Sequence, residues 1–168
     1  MAVLGPAKLK YRVVNASLIE FNLTTDNIVR YNLALNMAFR NPDKKHSVYY
    51  ERISVDAYYR GKKLGGVSMD PFYQGKKNTS MLNPVFQGQS WALRDSSKLE
   101  DFRREKSAGV FELQLKFPLK IMRKLGSLKF GPITPEVICK LRLPLASNRS
   151  FAGAFETTTC KEMNDDIY

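Results

Sequence analysis

Polarity alternates with period two in segment after segment of this chain, and that pattern restricts it to strands. From Val29 to Phe39 the odd positions Val29, Tyr31, Leu33, Leu35, Met37 and Phe39 are apolar, while the even ones are Arg, Asn or Ala. Successive side chains of a strand point to opposite faces, so this spacing makes a half-buried strand. Asn41-Pro42-Asp43 ends it, because proline cannot donate to a ladder and the trio favours a turn. Val48–Tyr59 alternates again, with Tyr49, Ile53, Val55, Ala57 and Tyr59 expected on one face and Gly61 closing it. Leu64–Met69 reads as a short strand. Gly109–Ile121 sets Phe111, Leu113, Leu115 and Phe117 against Glu112, Gln114 and Lys116. Val137, Cys139, Leu141, Leu143 and Leu145 repeat the pattern, and a last strand is expected over Ala152–Lys161. Only Ser96–Ser107 departs from it. There Leu99 and Phe102 stand three apart among charges, behind serine caps, which reads as one short surface helix. Roughly seven strands parted by Gly, Pro and Asn predict an all-β chain, an antiparallel β-sandwich. Without repeat, linker or low-complexity segment, residues 1–168 read as a single domain.

Charge bounds the partners. The 168 residues carry a net +11, with a sequence pI near 9.7. A field of that sign attracts polyanions. Between Lys116 and Arg149 lie Lys116, Lys120, Arg123, Lys124, Lys129, Lys140, Arg142 and Arg149 against one acid, Glu136. Strand parity places several of these opposite the leucines, on a shared outer surface. That surface is either a polyanion-binding face or a set of solvated lysines guarding against edge aggregation. Nucleic acid is disfavoured, because Phe111 and Phe117 point inward and no nucleic-acid motif is present. Anionic lipid headgroups or an acidic cell-wall polymer fit better.

Catalytic chemistry has no positive support. His46, the only histidine, follows Lys44-Lys45 in an expected turn, and no nucleophile elbow accompanies it. No HExxH, Walker loop, GxGxxG or EF-hand appears, so neither metal nor cofactor is expected. Glu162, Asp165 and Asp166 read as an acidic tail. Cys139 and Cys160 lack CxxC spacing, and suit either one disulfide in an oxidising compartment or two buried thiols in a reducing one. Glycosylation acceptors bear on that choice. Four of the ten asparagines, Asn15, Asn22, Asn78 and Asn148, begin an Asn-x-Ser/Thr triplet, where chance gives about one. They favour the secretory route and hence the disulfide. No stretch approaches transmembrane length, and Met1–Pro6 is too short for a signal peptide, so a secreted reading expects an anchor or leader upstream of this chain.

Pro71 and Gly75 bracket Phe72-Tyr73-Gln74, which reads as a strand ending in a turn with Gly75 expected to supply its positive φ, and Lys77 and Asn78-Thr79 follow. This stretch resembles the signature of the plant harpin-induced and non-race-specific-disease-resistance-like proteins, which carry a late-embryogenesis-abundant group 2 domain. Leu18–Leu23, Tyr31–Asn36, Arg40-Asn41-Pro42, Val48-Tyr49-Tyr50, Ala57–Gly61, Lys106–Gly109 and Ile138–Leu145 are similar to that family in the same order. Both cysteines fall where the family places its pair. Asp43 and Met81-Leu82-Asn83-Pro84 depart from its pattern. The resemblance implies an immunoglobulin- or fibronectin-III-type β-sandwich without enzymatic activity. A missing N-terminal transmembrane helix would tether it to the plasma membrane, facing the apoplast. It further implies a role in plant defence or stress with a protein partner in immune signalling. The alternative is a soluble intracellular stress-protective protein with no specific ligand. The Asn-Gly-Asp or Arg-Gly-Asp motif invoked for adhesion in one branch is absent. No oligomeric state follows.

Overall fold

The computed structural model describes residues 7–94, 96–146 and 155–163. Two antiparallel sheets face each other. One is built on β1 (Lys10–Leu23) and β2 (Val29–Asn41), with β6 (Asn78–Leu82) and β7 (Val85–Ser90) laid end to end along the far side of β2. The other is built on β3 (Ser47–Tyr59), β8 (Val110–Leu125) and β10 (Glu136–Pro144). β4 (Lys62–Met69) and β5 (Phe72–Gln74) run along the free side of β3, and β9 (Leu128–Ile133) folds back on the end of β8. Among the described residues one helix, α1 (Ser96–Ala108), follows β7. β11 (Thr158–Thr159) joins β1, whereas β12 (Lys161–Glu162) joins β10, so the C-terminal segment passes from one sheet to the other.

Alternating apolar side chains from both inner faces fill the space between the sheets. Phe39, Tyr50, Phe72 and Phe117 pack ring on ring at one end, and Phe21, Tyr59, Phe102 and Phe111 at the other. Burying each such ring contributes about 1.5–3 kcal/mol, so these clusters are a large share of what holds the sheets together. The hairpin from β3 to β4 turns at Arg60 (φ 50°) and Gly61 (φ 80°), the two positive angles that match the twist of paired strands.

Three elements differ from the expectation. β3 places Tyr50 inside and leaves Tyr49 exposed, because a bulge between Tyr50 and Arg52 inserts one residue and reverses the parity. β8 runs on to Leu125 and supports a hairpin with β9. Within the described residues, the last strand is two short pairings, one on each sheet.

Candidate functional site

The signature turn is the corner at which the chain leaves one sheet for the other. β5 pairs with β3 and β6 pairs with β2, so Gly75–Lys77 must cross the gap. Gln74 fixes the crossing. Its side chain is 0% exposed, and Nε2 donates to the Phe39 carbonyl (2.7 Å) and to Ser80 Oγ (3.0 Å). Phe72 packs inward on Tyr50 and Tyr73 projects to solvent, while the positive φ of the turn falls on Lys77 (51°) and not, as expected, on Gly75.

A second hub stands beside it. Asn41 Nδ2 donates to the carbonyls of His46 (3.0 Å) and Gly75 (3.1 Å), and its Oδ1 accepts from the Asp43 N–H. Buried Asp43 accepts from the N–H groups of Ala7 (2.6 Å), Lys45 (2.7 Å) and His46 (2.8 Å), with His46 Nδ1 at 3.2 Å. Burial alone would raise its pKa. The Lys45, His46 and Ala7 amides and the His46 ring outweigh burial and hold the carboxyl well below the usual range. Most polar groups of this corner are spent on the backbone, while Gln74 Oε1 is buried without a hydrogen-bond partner among the described residues. The corner positions chain segments and offers no free nucleophile.

The basic residues divide. Lys116, Lys120, Lys124, Lys140 and Arg142 lie on the outer face of β8 and β10, as parity requires, with Lys129 opposite Lys124 on β9. Neighbouring strands bring acids that the linear run conceals. Lys120 Nζ is 3.5 Å from Glu51, Arg142 Nε is 3.8 Å from Glu112, and Lys116 caps the Tyr58 ring at 4.6 Å. Lys124, Lys129 and Lys140 are exposed, with no acidic partner among the described residues. Arg123 stands apart from the set. Paired with Val48, it faces inward at the sheet end, and its Nη2 reaches the Ala7 carbonyl at 3.4 Å. With His46, Phe130, Gly131 and Ile133 it lines a cavity of about 310 Å³.

Asn15, Asn22 and Asn78 are exposed, Asn15 at a bulge in β1 and the others at strand ends. Asn148 and Arg149 lie outside the described residues, as do Asp165 and Asp166. Cys139 and Cys160 form a disulfide, buried where the C-terminal segment crosses between the sheets. Among the described residues no group of three His, Cys, Asp or Glu could hold a metal ion. No helix there is long and apolar enough to cross a membrane.

A family model for late embryogenesis abundant protein matches residues 36–137, from mid-β2 into β10. The chain belongs to that family. NDR1/HIN1-like protein 10 of Arabidopsis thaliana is 44% identical over 159 residues, covering 94% of this chain and 69% of that protein. NDR1/HIN1-like protein 3 of the same plant is 35% identical with the same coverage. This late embryogenesis abundant chain is thus similar to harpin-induced-like relatives well beyond the matched domain. A solution structure of AT1g01470 from Arabidopsis thaliana covers 84% of each chain at 17% identity, with a TM-score of 0.47, too loose to bear on function.

Sequence reasoning missed Asn41, Asp43 and the buried side of Gln74 as one cluster, since their partners come from distant segments. It also missed β9. The Gly126-Ser127 turn signal and the alternation Leu128, Lys129, Phe130 are the marks that identify it.

Proposed function

We propose that this protein is a non-enzymatic binding module of plant stress or defence, tethered to the plasma membrane and displayed outside the cell, that engages a polyanion through its cationic outer face. The observation that carries the binding role is the exposed set Lys124, Lys129 and Lys140 on β8, β9 and β10, which no acid neutralises among the described residues. The buried disulfide and the three exposed glycosylation acceptors support the extracellular location, since structural disulfides persist in oxidising compartments. The relatives' names, NDR1/HIN1-like, support the physiological context.

Lys124, Lys129 and Lys140 changed together to Gln test this reading against polygalacturonate, an acidic wall polymer, at several salt concentrations. The variant is expected to bind several-fold more weakly and to lose part of the salt dependence, because screening acts on exposed charges. Its melting temperature should hold, since exposed lysines contribute little to stability. A parent protein that ignores the polymer, or a variant that binds it equally, overturns the cationic face.

A further inference from the structure

β8 runs on past the end of its partner β10, whose register stops at Pro118 opposite Glu136. Beyond Ile121 it forms a hairpin arm with β9, which lies at the sheet edge while β8 stays paired with β3 on its other side as far as Lys124 opposite Ser47, and every residue of β9 is exposed. The register of this arm sorts its side chains cleanly. Lys124 lies opposite Lys129, which puts the two lysines on one face. Leu125 opposite Leu128, Arg123 opposite Phe130, and Ile121 opposite Ile133 occupy the other. That second face continues the inner, core-forming face of β8, yet its outer portion is uncovered: Leu128 is 60%, Phe130 46% and Ile133 46% exposed. Surface apolar residues grouped in this way on an edge strand mark a contact surface.

Charge identifies the occupant. On the arm itself Lys124 and Lys129 have no acidic partner among the described residues, whereas Lys120 at its base is held by Glu51. Exposed Lys44 and Lys45 add to them from the turn before β3, where His46 lies 6.1 Å from the Phe130 ring. An apolar, aromatic face backed by lysines on the opposite face and flanked by those of the adjoining turn matches the boundary between headgroups and acyl chains of an anionic bilayer. Buried apolar area and attraction to anionic lipid add there, at about 1 kcal/mol per lysine near the surface. An acidic polysaccharide would use the lysines and leave Leu128 and Phe130 without a role.

We infer that the β8–β9 arm is a membrane-docking device that inserts Leu128, Phe130 and Ile133 into the surface of an anionic phospholipid bilayer. This rests on the polyanion-binding part of the reading above, not on the extracellular location, and gives it a specific target. The entry of the chain fits. Ala7 is held at the root of the arm, between Asp43 and Arg123, so a tether preceding it would deliver the arm to the bilayer.

The test uses vesicles of phosphatidylcholine with and without phosphatidylserine. An environment-sensitive fluorophore is placed in the turn through Ser127→Cys. The triple variant Leu128→Ser, Phe130→Ser, Ile133→Ser serves as comparison, and polygalacturonate as second ligand. On serine-lipid vesicles the fluorophore should brighten and shift to the blue. The triple variant should bind them about tenfold more weakly or worse, with polymer binding and melting temperature unchanged. A silent fluorophore, or a triple variant that binds vesicles like the parent, overturns the arm. So does a parent dimer that the triple variant dissolves, since the surface would then join two copies. Binding to polymer but not vesicles overturns the arm alone. Binding to neither overturns the cationic reading with it.

Discussion

Asp43 gathers more of the fold than its place in a turn implies. It ties residue 7 to the segment before β3, and Asn41 ties that segment to the signature loop. Because its folded pKa lies below the unfolded value near 3.8, the ionised carboxylate contributes stability throughout neutral pH. That contribution is present above about pH 4 and is lost as pH falls through the folded pKa. Asp43→Asn keeps the shape but replaces one accepting oxygen with a donor. It should cost about 2 kcal/mol at pH 7, in the range of hydrogen bonds to a charged group. Urea unfolding at pH 7, 4 and 2.5 should show parent and variant converging toward the acid end. A gap that stays constant with pH would mean the charge is irrelevant. Asn41-Pro42-Asp43 was legible as a turn. Its hub was not, because Ala7 and Gly75 are each more than thirty residues away and carry only backbone groups to it. Gln74 was legible as part of a family signature, whereas its burial depends on two sheets meeting at Phe39.

Period and register decide what could be read of the elements. β2 and β10 kept unbroken parity and were readable residue by residue. β1 was readable only through family likeness, since bulges after Val13 and after Leu18 reverse its parity twice. The inward set passes from Tyr11 and Val13 to Leu18 and then to Phe21. α1 shows the complementary case. Leu99 and Phe102 announced a helix, and both are buried, but what docks it is a carboxylate. Glu105 accepts from the Tyr59 hydroxyl, from Arg60 Nη2 at 3.1 Å and from the Glu112 N–H at 2.8 Å, joining helix, β3 and β8. Glu105→Leu leaves the buried Tyr59 hydroxyl and the Glu112 N–H unmatched and Arg60 with Asp101 alone, so a loss of about 3 kcal/mol is expected from the two orphaned donors. Hydrogen exchange separates local from global effects. Helix amides should lose protection well before those of β2 and β8. Uniform loss across the chain would show that Glu105 supports the whole core instead of the helix.

For the molecule as a whole, the seam that matters is the one the C-terminal segment closes. β11 covers the edge of β1, and β12 covers the edge of β10 two residues later. Cys160 sits between them: its N–H donates to the Tyr11 carbonyl at 2.9 Å on one sheet, while its sulfur is bonded to Cys139 on the other. Each of the two pairings holds only two residues, far too few to persist alone. The disulfide therefore converts two weak strand additions into a fixed clasp over both edges. Closing a loop of 21 residues should stabilise the fold by about 3 kcal/mol, acting through the unfolded chain. Cys139→Ala with Cys160→Ala should lose roughly that amount in urea unfolding and should also release the segment. Release uncovers two strand edges at once, so the variant should be cut near Phe155–Met163 by protease under native conditions and should aggregate more readily. The two losses can be told apart. If stability falls while the segment stays protected, the bond acts on the unfolded chain alone and the short strands hold by themselves. If neither changes, the clasp is not what closes this sandwich, and the packing of Val13, Val137 and Leu18 along the seam carries that role without it.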